Sequence, residues 1–157
     1  MEIRRFRVSD IKQIVGLFYE TIHSVNRKDY TQEQLEAWAS KNDEGFRLAS
    51  WKDSMSTHIT YVALIDDRIV GFSDITQKGY LDRLYVHKDF QRQGIASSLI
   101  STLECEARKL GLAALNTNAS ITAKPFFEHH GYQLVQSQCV ERNGVKLVNY
   151  KMIKELY

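Results

Sequence analysis

Apolar and polar residues recur along the chain with two periods, and the switches between them divide it into elements. The opening "IRRFRV" sets Ile3, Phe6 and Val8 imperfectly between arginines and reads as a short first strand. Ser9 is placed to cap a helix, with Asp10 in its first turn. Ile11, Ile14, Val15, Phe18 and Ile22 then recur at helical spacing. Thr31 and Gln34 form a capping-box pattern ahead of Leu35 and Trp38, so a second helix starts near Thr31. Over residues 43–58 the pattern weakens, and Leu48, Trp51 and Met55 suggest a short helix.

Period two takes over after that. "TYVALI" and "RIVGFSDI" flank Asp66-Asp67, a pair that suits a tight turn. Lys78-Gly79 marks a second break before "YLDRLYV", and the three segments read as an antiparallel meander. Ala96, Leu99, Ile100, Leu103, Ala107 and Leu110 form a helical stripe that stops at Gly111. "LAALNTN" follows as a strand, and the strand–helix–strand path predicts that it runs parallel to "YLDRLYV". A helix is expected over roughly 120–130. Pro125 is tolerated only in a first turn, so that helix either begins near Thr122 or bends. "YQLVQSQCV" and "VKLVNYKMI" flank Asn143-Gly144, the strongest hairpin signal in the chain. The order predicts an α/β (α+β) fold: a central mixed, mostly antiparallel sheet with helices packed against it.

Composition narrows the picture. The 157 residues suit one domain, 1–157, with a sizeable core. A net charge of +2 argues against broad electrostatic binding to nucleic acid or to a membrane surface. There is no apolar segment of signal-peptide length and no run near the ~20 residues of a membrane span. The two cysteines, Cys105 and Cys139, form no CxxC pair, so a reduced, cytoplasmic protein is expected. Both read as buried structural thiols rather than nucleophiles. His129-His130 does not read as a metal pair: adjacent helical residues point about 100° apart, and a helix C-terminus explains them. No metal is expected.

One stretch carries candidate chemistry. In "VHKDFQRQGIASSLI" a strand runs through a basic elbow into a helix. Gly94 lets the backbone approach a ligand, and the helix start offers unpaired N–H groups and a positive dipole end. Ala96, Ser97 and Ser98 are small, and Arg92 and Lys88 add charge. The elbow suits a pyrophosphate; an ordinary capped turn is the alternative. Neither GxxxxGK[ST] nor GxGxxG occurs.

"QRQGIA", residues 91–96, resembles the [QR]xxGx[GA] motif of the GNAT N-acyltransferase superfamily. "NASITAKPFFEHHGY", residues 118–132, resembles that family's later NASxxAxxFYxxxGF segment, and the element order is also the family's. The resemblance implies the GNAT fold, with about seven strands and four or five helices, and acetyl-CoA as cosubstrate. It implies that the pantetheine arm pairs with Leu84, Tyr85 and Val86. The pyrophosphate would be gripped by Gln91, Arg92, Gln93, Gly94, Ile95, Ala96 and Ser97. Asn118 and Ser120 would face the pantetheine or thioester, and Phe127 would be cofactor-side wall. Phe127 stands where the family often has a proton-donating tyrosine, which keeps open a non-catalytic acyl-CoA sensor beside the enzyme reading.

Transfer to an amine needs a base, and an oxyanion donor is expected from the backbone near Tyr85 or Val86. Asp82 is the first candidate base, with Tyr80 on the same strand face by period two; pairing with Arg83 or Lys78 is the alternative for Asp82. His58 and His23 are further candidates from the helical side. "TIHSVNRKDYTQEQLEAW" supplies His23 and Tyr30 to an acceptor pocket, or else core and solvated loop. The acceptor is expected to be the primary amine of a small molecule or peptide, and the protein a monomer or homodimer.

Overall fold

The computed structural model describes residues 1–157. Strand β1 (Glu2–Arg5) leads to helices α1 (Ile11–Ser24), α2 (Gln32–Trp38) and α3 (Glu44–Thr57). The meander β2 (Ile59–Ile65), β3 (Arg68–Ile75) and β4 (Tyr80–Val86) follows. Helix α4 (Ile95–Lys109), β5 (Ala114–Ser120), α5 (Lys124–His129) and the hairpin β6 (Gln133–Arg142) and β7 (Val145–Glu155) complete the chain. The strands form one sheet in the order β1-β2-β3-β4-β5-β7-β6, parallel only between β4 and β5. No helix is long and apolar enough to cross a membrane.

Turn chemistry holds the meander and the hairpin. Asp66 and Asp67 both take positive φ (51° and 62°), as do Asn143 and Gly144 (48° and 78°), which is what a two-residue turn between right-twisted strands requires. Thr31 caps α2 as its capping box predicts. Helix α3 is four turns long rather than short; only Met55 is buried along it, so its apolar period is faint in the sequence. Helix α5 starts at Lys124, which puts Pro125 in the first turn.

Ser9 does not cap α1. It lies in a 3₁₀ turn over Val8–Asp10, and Asp10, at the start of α1, turns its carboxylate back toward β1 rather than onto the helix. Its carboxylate accepts from Arg4 Nη1 and Nη2, both at 2.9 Å, and from the Arg7 N–H at 2.8 Å. The strand is thereby tied to the helix that follows.

Alternation sends β2 and β3 into two cores. Val62, Leu64 and Phe72 pack with Ile14, Phe18 and Ile22 of α1, while Ala63 and Val70 pack with Ile95 and Leu99 of α4. Burying each such aliphatic side chain contributes roughly 1.5–3 kcal/mol. At Gly71 an added Cβ would lie 3.0 Å from Ile95 Cγ2, so α4 rests almost on the sheet backbone. Strand β6 is an edge, with Leu134 and Val135 half exposed on it. Cys105 and Cys139 are both exposed, contrary to the sequence expectation. Cys105 lies just off the buried stripe of α4, and Cys139 points outward from β6.

Candidate active site

The parallel pair β4 and β5 stays together only at its start. Tyr80 pairs with Asn116 and Leu81 with Thr117, and no pairing follows. The cause sits in β4. Leu84 and Arg83 pair with Ser73 and Asp74, the next partners are Leu81 and Ile75, and Asp82 is the extra residue of a bulge. A bulge bends its strand and ends pairing. Beyond it, the C-terminal half of β4 parts from β5 and its backbone edge is left bare.

The gap is a cleft of about 160 Å³. Leu84, Tyr85, Val86, Gln91 and Ala96 line one side, Ser120, Thr122, Ala123 and Phe126 the other, and Thr21, Val25 and Asn26 close it from α1. The His87 N–H bonds to Val70 O on β3, so by strand alternation the N–H of Val86 faces the cleft and that of Tyr85 faces β3. Of the two backbone donors expected there, only Val86 is available. Gln91 Nε2 donates to Val86 O at 2.6 Å and to His87 O at 3.3 Å, fixing the strand to the elbow.

The elbow takes φ of +61° at Arg92 and +79° at Gly94, with Gln93 between them at negative φ. Such alternation curls successive N–H groups into a concave anion nest. Gly94 precedes α4 with no side-chain cap, so the first N–H groups of the helix stay open. Ile95 itself is 2% exposed and packs into the core, so only its backbone belongs to the nest. Ser97 Oγ lies 3.1 Å from His130 Nε2, a neighbour that no sequence spacing announced.

A second cavity, of about 450 Å³, opens on the other side of β4. Phe18, Tyr30, Trp38, Phe46, Trp51, Tyr80 and Tyr85 supply aromatic wall, and Arg47, Arg83, Arg142, Asp43 and Asp82 supply charge. The two cavities share only Tyr85 and Ser120. Burial raises the pKa of the Tyr85 phenol well above its usual value, and its hydroxyl has no hydrogen-bond partner within the chain. Ser120 Oγ accepts from the Ala123 N–H at 3.0 Å.

Asp82 faces this second cavity, its side chain 32% exposed. Desolvation raises its pKa, with Arg83 opposing and Asp74 adding to the rise. Its two expected fates coincide: it faces the cavity and also lies 3.4 Å from Arg83 Nη1. Tyr80 lines the same cavity despite the bulge; burial raises its pKa, and its hydroxyl accepts from Asn118 Nδ2 at 3.3 Å.

Behind Asp82 lies the fully buried Asp74, whose Oδ2 accepts from Arg83 Nη1 at 2.6 Å and lies 2.8 Å from His58 Nδ1. Ligating atoms of His58, Asp74 and Asp82 come within 4.8 Å of one another. The Arg83 guanidinium meets two of them, bonded to Asp74 and 3.4 Å from Asp82.

Other residues singled out in the sequence lie off the cleft or off both cavities. Phe127 is 2% exposed and packs against Tyr132 in the core; its neighbour Phe126 faces the cleft. His23 lines neither cavity, and its Nε2 lies 2.8 Å from Ala39 O. His58 is turned to Asp74 and lines neither cavity. Asn118 lines the larger cavity and not the cleft. Tyr30 lines the larger cavity, donating to Val148 O at 2.8 Å and accepting from the Ile121 N–H at 2.9 Å. Arg47, Trp51 and Arg142 went unread as site residues: α3 has almost no amphipathic signal, and Arg142 stands beside the hairpin turn like any solvated charge.

A parted parallel strand pair, a glycine elbow at a helix start and a second cavity meeting the first are the architecture of a GNAT-type acyltransferase. The chain belongs to the GNAT acetyltransferase family: the family's acetyltransferase (GNAT) domain matches residues 26–154. The uncharacterized N-acetyltransferase YafP of Escherichia coli strain K12 is 32% identical over 152 residues, 97% of this chain and 94% of that protein. A GCN5-related N-acetyltransferase from Rhodopseudomonas palustris superposes with a TM-score of 0.91 at 32% identity, over 98% of this chain and 94% of that one. The fold also matches PaiA N-acetyltransferase from Thermoplasma acidophilum, solved with coenzyme A, at TM-score 0.78, 17% identity and 98% of both chains. The chain is thus an enzyme of the acyltransferase class.

Proposed function

We propose that the chain, folded as one domain over residues 1–157, transfers acetyl from acetyl-CoA to a primary amine by direct attack. One observation carries the reading: the cleft beside bare β4 and the aromatic cavity meet only at Tyr85 and Ser120. A donor lying along one and an acceptor lying in the other would touch at that point.

The residues fit a coenzyme A donor. The nest over 92–94 and the open helix start suit a pyrophosphate. A Cβ built on Gly94 would meet nothing within 4 Å, so there is free space above the elbow. The unpaired edge of β4 suits an extended pantetheine amide chain. When bound, acetyl-CoA supplies an acetyl group activated as a thioester.

The chain's own residues then do three things. Asp82 takes a proton from the acceptor ammonium, directly or through water, and passes it to solvent. The freed amine attacks the thioester carbon, the C–S bond breaks as the C–N bond forms, and the second proton lost from the nitrogen reaches the departing thiolate through water. The Val86 N–H stabilises the charge that gathers on the carbonyl oxygen. The Tyr85 hydroxyl donates a hydrogen bond to the departing sulfur. A thiol pKa near 8.5 makes the thiolate a tolerable leaving group that water can protonate. The balance is one amide and one thiol formed, with one proton released per ammonium consumed.

A thiol-release assay on the purified chain tests this, with acetyl-CoA and a panel of amino acids, polyamines, aminoglycosides and peptide N-termini. Amine-dependent release is the expected result. Saturable acetyl-CoA binding with no release from any amine would overturn it.

A further inference from the structure

The larger cavity is chemically lopsided. Three guanidiniums line it, and one of them is committed: Arg83 donates to Asp74 Oδ2 at 2.6 Å and to Ser54 Oγ at 2.9 Å. Arg47 pairs with no carboxylate. It donates to Tyr19 Oη at 2.7 Å and to Trp38 O at 3.3 Å, and it lies 4.9 Å above the Phe18 ring. Arg142, at the end of β6, has neither a hydrogen bond nor an ion pair from its side chain within the chain. It lies near enough to Asp82, Tyr80 and Tyr85 to bias the ionisation of all three.

Two carboxylates line the same cavity. Asp43 accepts from Asn143 Nδ2 at 3.2 Å, and Asp82 stands beside Arg83. The cavity therefore offers one carboxylate next to the reaction point and two guanidiniums with no acid of their own, between aromatic walls. A polycation would meet Asp82 and Asp43, the latter already accepting from Asn143, but would also face the unpaired guanidiniums of Arg47 and Arg142. A zwitterion complements both ends, and guanidinium is the side chain whose fork matches a carboxylate. The volume of about 450 Å³ is that of a small-molecule site, near the low end of the usual ~300–1,000 Å³.

We propose that the acceptor is a free amino acid with an apolar side chain, its carboxylate held by Arg142 and Arg47 and its amine turned to Asp82. This rests on the acetyl-transfer reading. Seven aromatic residues on the wall account for the apolar side chain.

The test uses a binding signal beside activity. Trp38 and Trp51 line the cavity, so intrinsic fluorescence of the full chain reports occupancy without turnover. The probes are L-phenylalanine, L-leucine and L-methionine, each against its own amide, followed by thiol release on the same six compounds and on spermidine. The acids are expected to bind about tenfold more tightly than the amides, the value of one charge-assisted contact. Arg142→Gln, which leaves Arg47 in place, should shrink that difference while acetyl-CoA affinity and the melting temperature stay as they were; Arg142 is exposed and unbonded, so folding is not at stake. The inference is overturned if amides bind as well as acids, if no acid binds below about 10 mM, or if Arg142→Gln leaves the preference intact. Release from spermidine or amides but not from the acids overturns it while leaving acetyl transfer standing. Acid-selective binding with no release from any compound leaves a carboxylate-binding cavity standing but overturns the acceptor role together with acetyl transfer to these compounds.

Discussion

At Asp82 the backbone and the charge balance conflict, and the conflict suits a base. The bulge turns the residue into the cavity, and desolvation raises its pKa above 3.8 despite Arg83. A carboxyl with a raised folded pKa favours folding while protonated in both states, and loses that contribution as pH rises through the folded value. Asp82→Asn is therefore expected to melt higher than the parent at pH 7 and level with it near pH 3, while kcat/KM falls by about 10²-fold or more. Melting curves at the two pH values and thiol release check both halves. The acid limb of the parent's kcat/KM profile should be missing from the variant. Tyr85→Phe removes the hydrogen bond proposed to the departing sulfur. Its kcat is expected to drop about tenfold with acetyl-CoA KM unchanged, because the ring still packs on Phe18 and Phe72. At Gly94, φ of +79° penalises any Cβ by about 1 kcal/mol. Gly94→Ala should cost a few degrees in melting temperature and at least about tenfold in acetyl-CoA affinity, read by calorimetry.

At the scale of elements, short polar clamps set how the helices meet the sheet. Burial opposes the charge on Asp10, but the Arg4 fork and the Arg7 N–H overcome it and hold the carboxyl below its usual pKa. That stability is present above about pH 3.8 and is lost as pH falls through the lower folded value. Asp10→Asn is expected to cost roughly 1–3 kcal/mol at pH 7, since the amide keeps one acceptor for Arg4 but loses the charge and the second oxygen. The gap between variant and parent should shrink as acid is added; urea melts at pH 7 and pH 3 measure it. Helix α3 illustrates a different economy. It carries Arg47 and Trp51 into the cavity on a weakly amphipathic helix, so its position depends on contacts such as Arg83 beneath Trp51, 4.6 Å from the ring.

Over the whole molecule, neighbouring strands pair along most of their length, bulges apart, except where β4 leaves β5. A donor seated there would bridge the two halves. At about one hundred times its Kd it should add ~2.7 kcal/mol, and at ~2–4 °C per kcal/mol for a chain of this size the melting temperature should rise by roughly 5–10 °C. Hydrogen exchange should slow at residues 84–86 above all; protection spread evenly over the sheet would argue against a bridge at the parting.

Much of this was legible in the chain alone. Period, caps and turn residues locate the strands and most of the helices, because Asp66-Asp67, Thr31 with Gln34 and Asn143-Gly144 act through their own local backbone; α3 is the exception, its period too faint to fix its length. The elbow at 91–97 was legible for the same reason: a glycine before a helix is a local event. The Asp82 bulge was not, since it exists only against Ser73–Ile75 on the neighbouring strand. Nor was the choice between Phe126 and Phe127, which depends on how α5 is rotated on Tyr132. The meeting of Arg47, Asp82 and Arg142 needs α3, β4 and β6 to converge across about a hundred residues. The sequence determined the elements and the donor end of the site, where physics acts over a few residues. Only the tertiary structure decided the acceptor end, where charges distant in the chain become neighbours and burial sets what each of them can do.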